Sequence, residues 1–283
     1  LKIRAQKKNV LIPAKLLRKY NRLKRILKSF DSVLVALSGG VDSSLLLRAS
    51  VEALDGRVMA VVINSPLFFP EEIKMALKIA RKLKVKYELI NSDHYLKEEF
   101  RKNTPARCYF CKLSLFKKLE KIRRAEGIAM VVEGSNLDDE LDYRPGKKAL
   151  RELKIRSPLK EAGLKKAEIR LLAKVLGLSN WNSPANACLA TRIPYYQPIE
   201  PKNLEKIREA ELYLKKLGLA QVRVRDHGEI ARIEVWPEAF KYLVQSGVRK
   251  KICRQLKRLG WKYVTFDLEG YRTGSLNPVK VSF

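Results

Sequence analysis

A chain of 283 residues is long enough for two domains or one large one, and a hydrophobic content of 46% supplies ample core. The 59 Lys and Arg against 30 Asp and Glu leave a formal charge of +29, which points to an anionic partner: nucleic acid, nucleotide or phosphate. Four cysteines are too few for a disulfide scaffold, no apolar run reaches membrane length and no signal peptide is visible, so a cytoplasmic protein without membrane attachment is expected.

Residues 1–30 carry eleven Lys and Arg and no Asp or Glu. After Pro13, the positions Leu16, Tyr20, Leu23 and Leu27 recur at helical spacing, so 1–30 reads as a basic leader whose helix packs by its apolar face. An RNA-binding arm is the alternative. The bland reading of the charge is a lysine-rich, heat-adapted surface, although heat adaptation usually raises Glu as well and here the acids lag. Val33 to Leu37 is a continuous apolar run, as expected of a strand buried on both faces. It breaks at Ser38-Gly39-Gly40 and restarts as a helix, Val41-Asp42-Ser43-Ser44 followed by Leu45 to Leu47. A glycine pair at the carboxyl end of a buried strand lets a ligand approach the backbone, and the helix start offers free N–H groups and a positive dipole end. Together they make a seat for phosphate. No Gly-Lys-Ser/Thr follows, so this is not a Walker A loop. The stretch resembles the PP-loop of the ATP pyrophosphatase superfamily, whose members cleave ATP to AMP and pyrophosphate and adenylylate a carbonyl or carboxylate oxygen. The resemblance implies an ATP site of Ala36, Leu37, Ser38, Gly39, Gly40, Asp42, Ser43, Ser44, Val62, Asn64, Gly134 and Asp138.

Val58 to Ile63 predicts a second strand, closed by Asn64-Ser65-Pro66, and Pro70 opens a helix with Glu71 and Glu72 in its first turn. A third strand is expected over 85–90, a helix from Leu113 to Ile122, and a fourth strand from Ile128 to Val132, ending in Glu133-Gly134-Ser135-Asn136. Strands alternating with helices predict an α/β fold over 31–180, a doubly wound parallel sheet that binds ligands outside its carboxyl strand ends. The glycine loop, Asn64-Ser65 and Gly134-Ser135-Asn136 all fall at such ends. Residues 134–163 read as a long active-site loop, 165–176 as a helix, and 179–201, with four prolines, as a functional loop or domain junction. From 181 to 283 the pattern changes: a helix near 202–217, an alternating strand at 221–225, strand Ile230 to Val235, helix 238–258 and strand Tyr263 to Leu268. This predicts a smaller C-terminal α+β domain with antiparallel pairing.

Three groups of residues carry chemistry. Asp42, Asp138 and Asp139 are candidate Mg²⁺ ligands for an ATP reaction, with a helix first-turn carboxylate and a solvated loop acid as the ordinary alternatives. Cys108 and Cys111 form a C-x₂-C in Arg107-Cys-Tyr-Phe-Cys-Lys112, and Cys188 stands alone in Pro184-Ala-Asn-Ala-Cys-Leu-Ala-Thr-Arg192. Two cysteines plus a distant third suit a [4Fe–4S] cluster with one open iron; a buried pair and a lone thiol are the alternatives. Cys253, within a basic helical segment, reads as a core thiol. Arg223 and Arg225 lie two apart on one strand and so share a face on which they can clamp a phosphate; a solvated strand is the alternative. Arg144 and Arg192, in the two functional loops, are further anion candidates.

Taken together, these motifs, with Gly134-Ser-Asn-Leu-Asp-Asp139, Asp142-Tyr-Arg-Pro-Gly146 and the tail from Asp267 to Leu276, resemble the LarE family of ATP-dependent sulfur transferases of nickel-pincer nucleotide cofactor synthesis. The resemblance spans roughly residues 20–277. It implies that ATP adenylylates a carboxylate of pyridinium biscarboxylic acid mononucleotide, and that sulfur then displaces AMP to give a thiocarboxylate. Arg223 and Arg225, with Arg192 and Arg144, would hold the mononucleotide phosphate, and Asp42, Asp138 and Cys188 would carry the chemistry. The sulfur would come from Cys188 itself or from a sulfide on a cluster held by Cys108, Cys111 and Cys188. Relatives form ring-like oligomers, so a homotrimer or homohexamer is expected by analogy. The rival readings are a tRNA thiolase of the same superfamily and a basic nucleic-acid-binding protein without sulfur chemistry.

Overall fold

The computed structural model describes residues 12–141, 145–184, 187–272 and 274–276. In chain order its elements are α1 (Ala14–Lys28), β1 (Val33–Ala36), α2 (Val41–Leu54), β2 (Val58–Asn64), α3 (Pro70–Lys82), β3 (Lys86–Asn91), α4 (Glu98–Arg101), α5 (Arg107–Ala125), β4 (Met130–Val132), α6 (Gly146–Glu152), α7 (Pro158–Glu161), α8 (Lys166–Val175), α9 (Pro201–Lys216), β5 (Val222–His227), β6 (Ile230–Val235), α10 (Phe240–Leu243), α11 (Ser246–Arg258) and β7 (Tyr263–Phe266). The chain divides into two compact units, residues 1–94 with 108–186, and residues 95–107 with 187–283. No helix among the described residues is long and apolar enough to cross a membrane.

The first unit is built on a parallel sheet in the order β3-β2-β1-β4. Val33, Leu34 and Val35 are fully buried, because a parallel sheet is covered on both faces and so selects a continuous apolar strand. One face carries Val33, Val35, Ala60 and Val62 into a large core with α1, α2 and α8, and the other packs Leu34, Met59 and Val61 against Leu115, Phe116 and Leu119 of α5. The doubly wound parallel sheet expected from the alternation is present. The α1 apolar stripe of Leu16, Tyr20, Leu23 and Leu27 is buried in the first of these cores.

Two expectations in this unit need correction. Residues 134–163 are not one long loop: a 3₁₀ turn (Leu137–Leu141), α6 and α7 occupy much of them. The helix expected from Leu113 starts at Arg107, so Cys108 and Cys111 lie inside α5 rather than before it.

In the second unit β5 pairs antiparallel with β6, and β6 pairs parallel with β7. The expected all-antiparallel pairing is therefore half right. The helical residues between β6 and β7 form a crossover, which delivers the next strand parallel. That stretch is also broken into a 3₁₀ turn, α10 and α11 rather than one helix over 238–258. β5 is buried along Val222 to Asp226 on both faces, not alternating.

Candidate active site

The phosphate seat is built from its glycines. Gly39 has φ +80°, and a Cβ there would stand 2.2 Å from the Glu72 carbonyl oxygen at the start of α3, so no other residue makes this turn without moving α3. Gly40 precedes α2 in extended conformation, and no side chain caps the helix. The first N–H groups of α2 are thus available to a ligand. The Ser43 hydroxyl accepts from the Ser38 amide at 3.2 Å and donates to the Gly40 carbonyl at 3.1 Å, while the Ser44 hydroxyl reaches the same carbonyl at 2.8 Å. Across the start of α2 lies Gly134, where a Cβ would meet the Ser43 nitrogen at 2.9 Å. Ala36, Leu37, Ser38 and Val62 line a cleft with Val61, Ile63, Phe68 and Ile73, enclosing about 410 Å³, part of it open to solvent. Its apolar walls suit a planar base. Asn64 is exposed and donates to Asn91 Oδ1 at 2.7 Å.

Two residues that the sequence did not single out hold this seat. Asn180, fully buried, donates from one amide nitrogen to the Gly39 carbonyl at 2.8 Å and to Ser44 Oγ at 2.9 Å. Lys166, the first residue of α8, pairs its ammonium with Asp42 Oδ2 and donates its backbone N–H to Asp138 Oδ2 at 2.8 Å. Both act across more than a hundred residues of chain, and neither has a local pattern that would reveal it. Glu133 was missed as well. It follows β4, accepts from the amide and hydroxyl of Ser135 at 3.1 and 2.9 Å, and lies 3.5 Å from the Lys112 ammonium.

The acids divide by burial. Burial pushes the Asp42 carboxyl above the ordinary aspartate value, against the pull of Lys166. Its Oδ1 is buried without a hydrogen-bond partner. An orphaned carboxylate oxygen beside the phosphate seat fits a divalent cation. Asp139 Oδ2 accepts from the Asn136 amide at 2.9 Å and adds its field to that of Asp42. Asp138 is exposed. Among the described residues no group of three His, Cys, Asp or Glu forms a ready-made metal site.

Cys108 and Cys111 lie one turn apart on α5, Cys108 exposed and Cys111 half-buried. Neither forms a disulfide, nor do Cys188 and Cys253, so the donor chemistry fits iron. Cys253 is half-buried rather than in the core. His94, buried beside the pair, reaches Cys111 Sγ at 3.2 Å through Nε2 and Ser92 Oγ at 2.8 Å through Nδ1.

In the second unit Cys188 precedes a 3₁₀ turn, Leu189–Arg192. Arg192 is fully buried. Its guanidinium forks onto Glu211 at 2.8 and 3.0 Å and donates to the carbonyls of Ala187 and Cys188 at 2.7 and 3.1 Å. It holds the cysteine loop from beneath. Arg225 forks onto Glu234 at 2.9 and 2.6 Å and donates to the Thr191 carbonyl at 2.8 Å, gripping the same loop. Arg223 lies 4.0 Å from Glu211 and over the Tyr271 ring at 5.3 Å. Burial, and then repulsion from Arg192, pull its pKa below the ordinary arginine value. Arg192 and Arg223 thus stand beside Glu211, and Arg225 and Arg232 beside Glu234. Arg107, the residue before Cys108, donates to the Ala190 carbonyl at 3.0 Å, two residues past Cys188. Arg144 lies outside the described residues.

A family model for NAD synthase matches residues 16–116, the stretch that contains the glycine loop. The chain is 41% identical over 255 residues to the pyridinium-3,5-bisthiocarboxylic acid mononucleotide synthase of Lactiplantibacillus plantarum, covering 89% of this chain and 91% of that protein. It is 38% identical over 261 residues to an uncharacterised protein of Synechocystis, covering 92% and 97%. A further uncharacterised protein, from Methanocaldococcus jannaschii, is 31% identical over 259 residues, covering 92% and 98%. With the glycine loop, the parallel sheet and a match along nearly the whole chain, this protein belongs to the LarE family of PP-loop, ATP-dependent enzymes.

Proposed function

We propose that the enzyme activates a carboxylate of pyridinium biscarboxylic acid mononucleotide with ATP and exchanges it for a thiocarboxylate. The observation that carries this reading is the arginine cluster of the second unit, where Arg192 and Arg225 hold the Cys188 loop by its carbonyls and Arg223 stands on the same strand as Arg225. Arg223 would take the mononucleotide phosphate through its planar guanidinium. The substrate carboxylate oxygen attacks the α-phosphorus of ATP, and the bond to pyrophosphate breaks. A sulfur nucleophile then attacks the acyl carbon, and AMP leaves.

In the first unit the α2 amides and Lys166 bind the departing pyrophosphate, and the cleft beside Phe68 holds the adenine. Asp42 and Asp139, with Asp138, would hold Mg²⁺, which supplies neutralising charge at the phosphates. Cys108, Cys111 and Cys188 would hold a [4Fe–4S] cluster, which supplies an iron position for the sulfur to be transferred.

The test is anaerobic turnover with ATP, Mg²⁺, the mononucleotide and sulfide, read by mass spectrometry. Exchange of a carboxylate oxygen for sulfur together with AMP and pyrophosphate is expected; ATP cleavage without that exchange would overturn the substrate. Iron content separates the sulfur routes. About four irons per chain, lost in Cys108→Ala, is the cluster result. No iron, together with loss of hydrogen sulfide from Cys188 on turnover, is the sacrificial one.

A further inference from the structure

One feature of the first unit takes no part in this chemistry. Along α1, Lys15, Arg18, Arg22, Arg25 and Lys28 are all exposed, at steps of three or four residues. They form a single line on the face opposite Leu16, Tyr20, Leu23 and Leu27. From Lys15 to Lys28 that line runs ~20 Å. The two acids paired with α1 are taken by its flanks, Glu168 by Lys19 and Glu52 by Lys24. No ion pair of the five stripe residues occurs among the described residues.

This arrangement works against the helix that carries it. Like charges at three- and four-residue spacing repel, and cations in the first turn oppose the helix dipole. α1 has no acid in its first turn. A face needed only for solubility would mix signs. Arg25 and Lys28 suit the dipole in the last turn, but five like charges on one face with no acid between them still repel, and an external anionic partner would relieve that repulsion.

We infer that this stripe docks the phosphodiester backbone of a nucleic-acid duplex. About 20 Å of duplex axis carries about twelve phosphate charges on its two strands, ample for a line of five cations of that length. Three of the five are arginines, whose planar fork suits phosphate oxygens. The exposed face holds no aromatic on which single-stranded bases would stack, since Tyr20 is buried, so the backbone of a duplex is the better fit. An anionic membrane is the poorer fit, because the apolar face of α1 is spent on the protein's own core and leaves nothing to insert.

The test uses the full chain and a fluorescently labelled RNA duplex of two helical turns, with a DNA duplex of matching sequence and phosphatidylserine vesicles as separate arms. Anisotropy titrations over a range of salt are expected to give a log–log slope near −4.5, about 0.9 per neutralised phosphate. The triple variant Arg18→Gln/Arg22→Gln/Arg25→Gln should lose about 2.7 of that slope and at least ~10-fold in affinity at moderate salt. Because these side chains are exposed and repel one another, its thermal midpoint should not fall. The matched variant Lys250→Gln/Arg254→Gln/Lys257→Gln on α11, which removes three exposed cations elsewhere, should keep the slope. The RNA and DNA arms say which duplex is preferred. The inference is overturned if the duplexes do not bind at about 50 mM salt, if the α1 variant keeps the slope, if the α11 variant loses as much, or if vesicles bind and duplexes do not. None of these readouts depends on ATP or sulfur.

Discussion

The imidazole of His94 stands between two side chains, its Nδ1 2.8 Å from Ser92 Oγ and its Nε2 3.2 Å from the Cys111 sulfur. The two cysteines of one motif are therefore unequal: Cys111 is half-buried against a ring, while Cys108, one turn away, is open to solvent. In reduced, metal-free protein, iodoacetamide should label Cys108 at least ~10-fold faster than Cys111. Cutting the ring back in His94→Ala should uncover the Cys111 sulfur and narrow the gap. Time-resolved peptide mass spectrometry reads both rates, and equal labelling in the unmodified chain would contradict the arrangement.

Arg192 and Glu211 form a fully buried ion pair, and removing one partner strands the other. Arg192→Ala should cost about 3–5 kcal/mol in urea denaturation. The double variant Arg192→Met/Glu211→Leu should recover most of that loss, because it removes both charges together. A double variant no more stable than the single one would mean that the backbone bonds of Arg192 to the Cys188 loop, and not the ion pair, carry the stability.

Acid should destabilise the second unit through the same pairs. Burial opposes ionisation of Glu211 and Glu234, but the arginines outweigh it and hold both carboxyls below the ordinary glutamate value. Folded, these groups release protons more readily than unfolded ones. Their contribution is therefore complete above the unfolded pKa of about 4.3 and drains away as pH falls through the lower folded values. Denaturation midpoints measured downward from neutral pH should drop in that acid window, and less steeply in Glu234→Gln.

The two glycines of the phosphate seat should fail differently. Gly39→Ala meets both a left-handed φ and a backbone oxygen at 2.2 Å, and should cost more than ~2 kcal/mol of stability. Gly134→Ala presses on the Ser43 nitrogen at 2.9 Å with ordinary backbone geometry. It should fold and yet bind ATP at least ~10-fold more weakly, because it displaces the α2 amides that face phosphate. Calorimetric titration with ATP beside thermal unfolding separates the two effects.

The phosphate seat was legible because it is contiguous. A buried strand, two glycines and a helix start occupy twelve adjacent residues, and each part has its own local signal. Asn180 and Lys166 were not legible, because what makes them matter is a partner far along the chain. The short helices α6 and α7 escaped because four to seven residues show no period, and their Gly and Pro read as loop. Arg223 and Arg225 were correctly placed on one strand, but the strand was expected to be half-exposed. Charged residues in a fully buried strand need neutralising partners, and Glu211 and Glu234 come from α9 and β6. The parallel pairing of β7 did have a signal: a helical stretch of about twenty residues between two strands is a crossover, and a crossover returns the chain in the same direction.

The contact between Lys166 and Asp42 has one more consequence. Before any ligand arrives, the ammonium cancels the charge of the carboxylate at the mouth of the glycine loop, so the resting site does not repel an approaching triphosphate. Its tether is a flexible four-carbon stem. The head can leave the carboxylate for the phosphates without the backbone of α8 moving, and the backbone N–H of the same residue keeps its hold on Asp138 meanwhile. Loading therefore frees the Asp42 carboxylate as the ammonium takes up phosphate, in one side-chain movement.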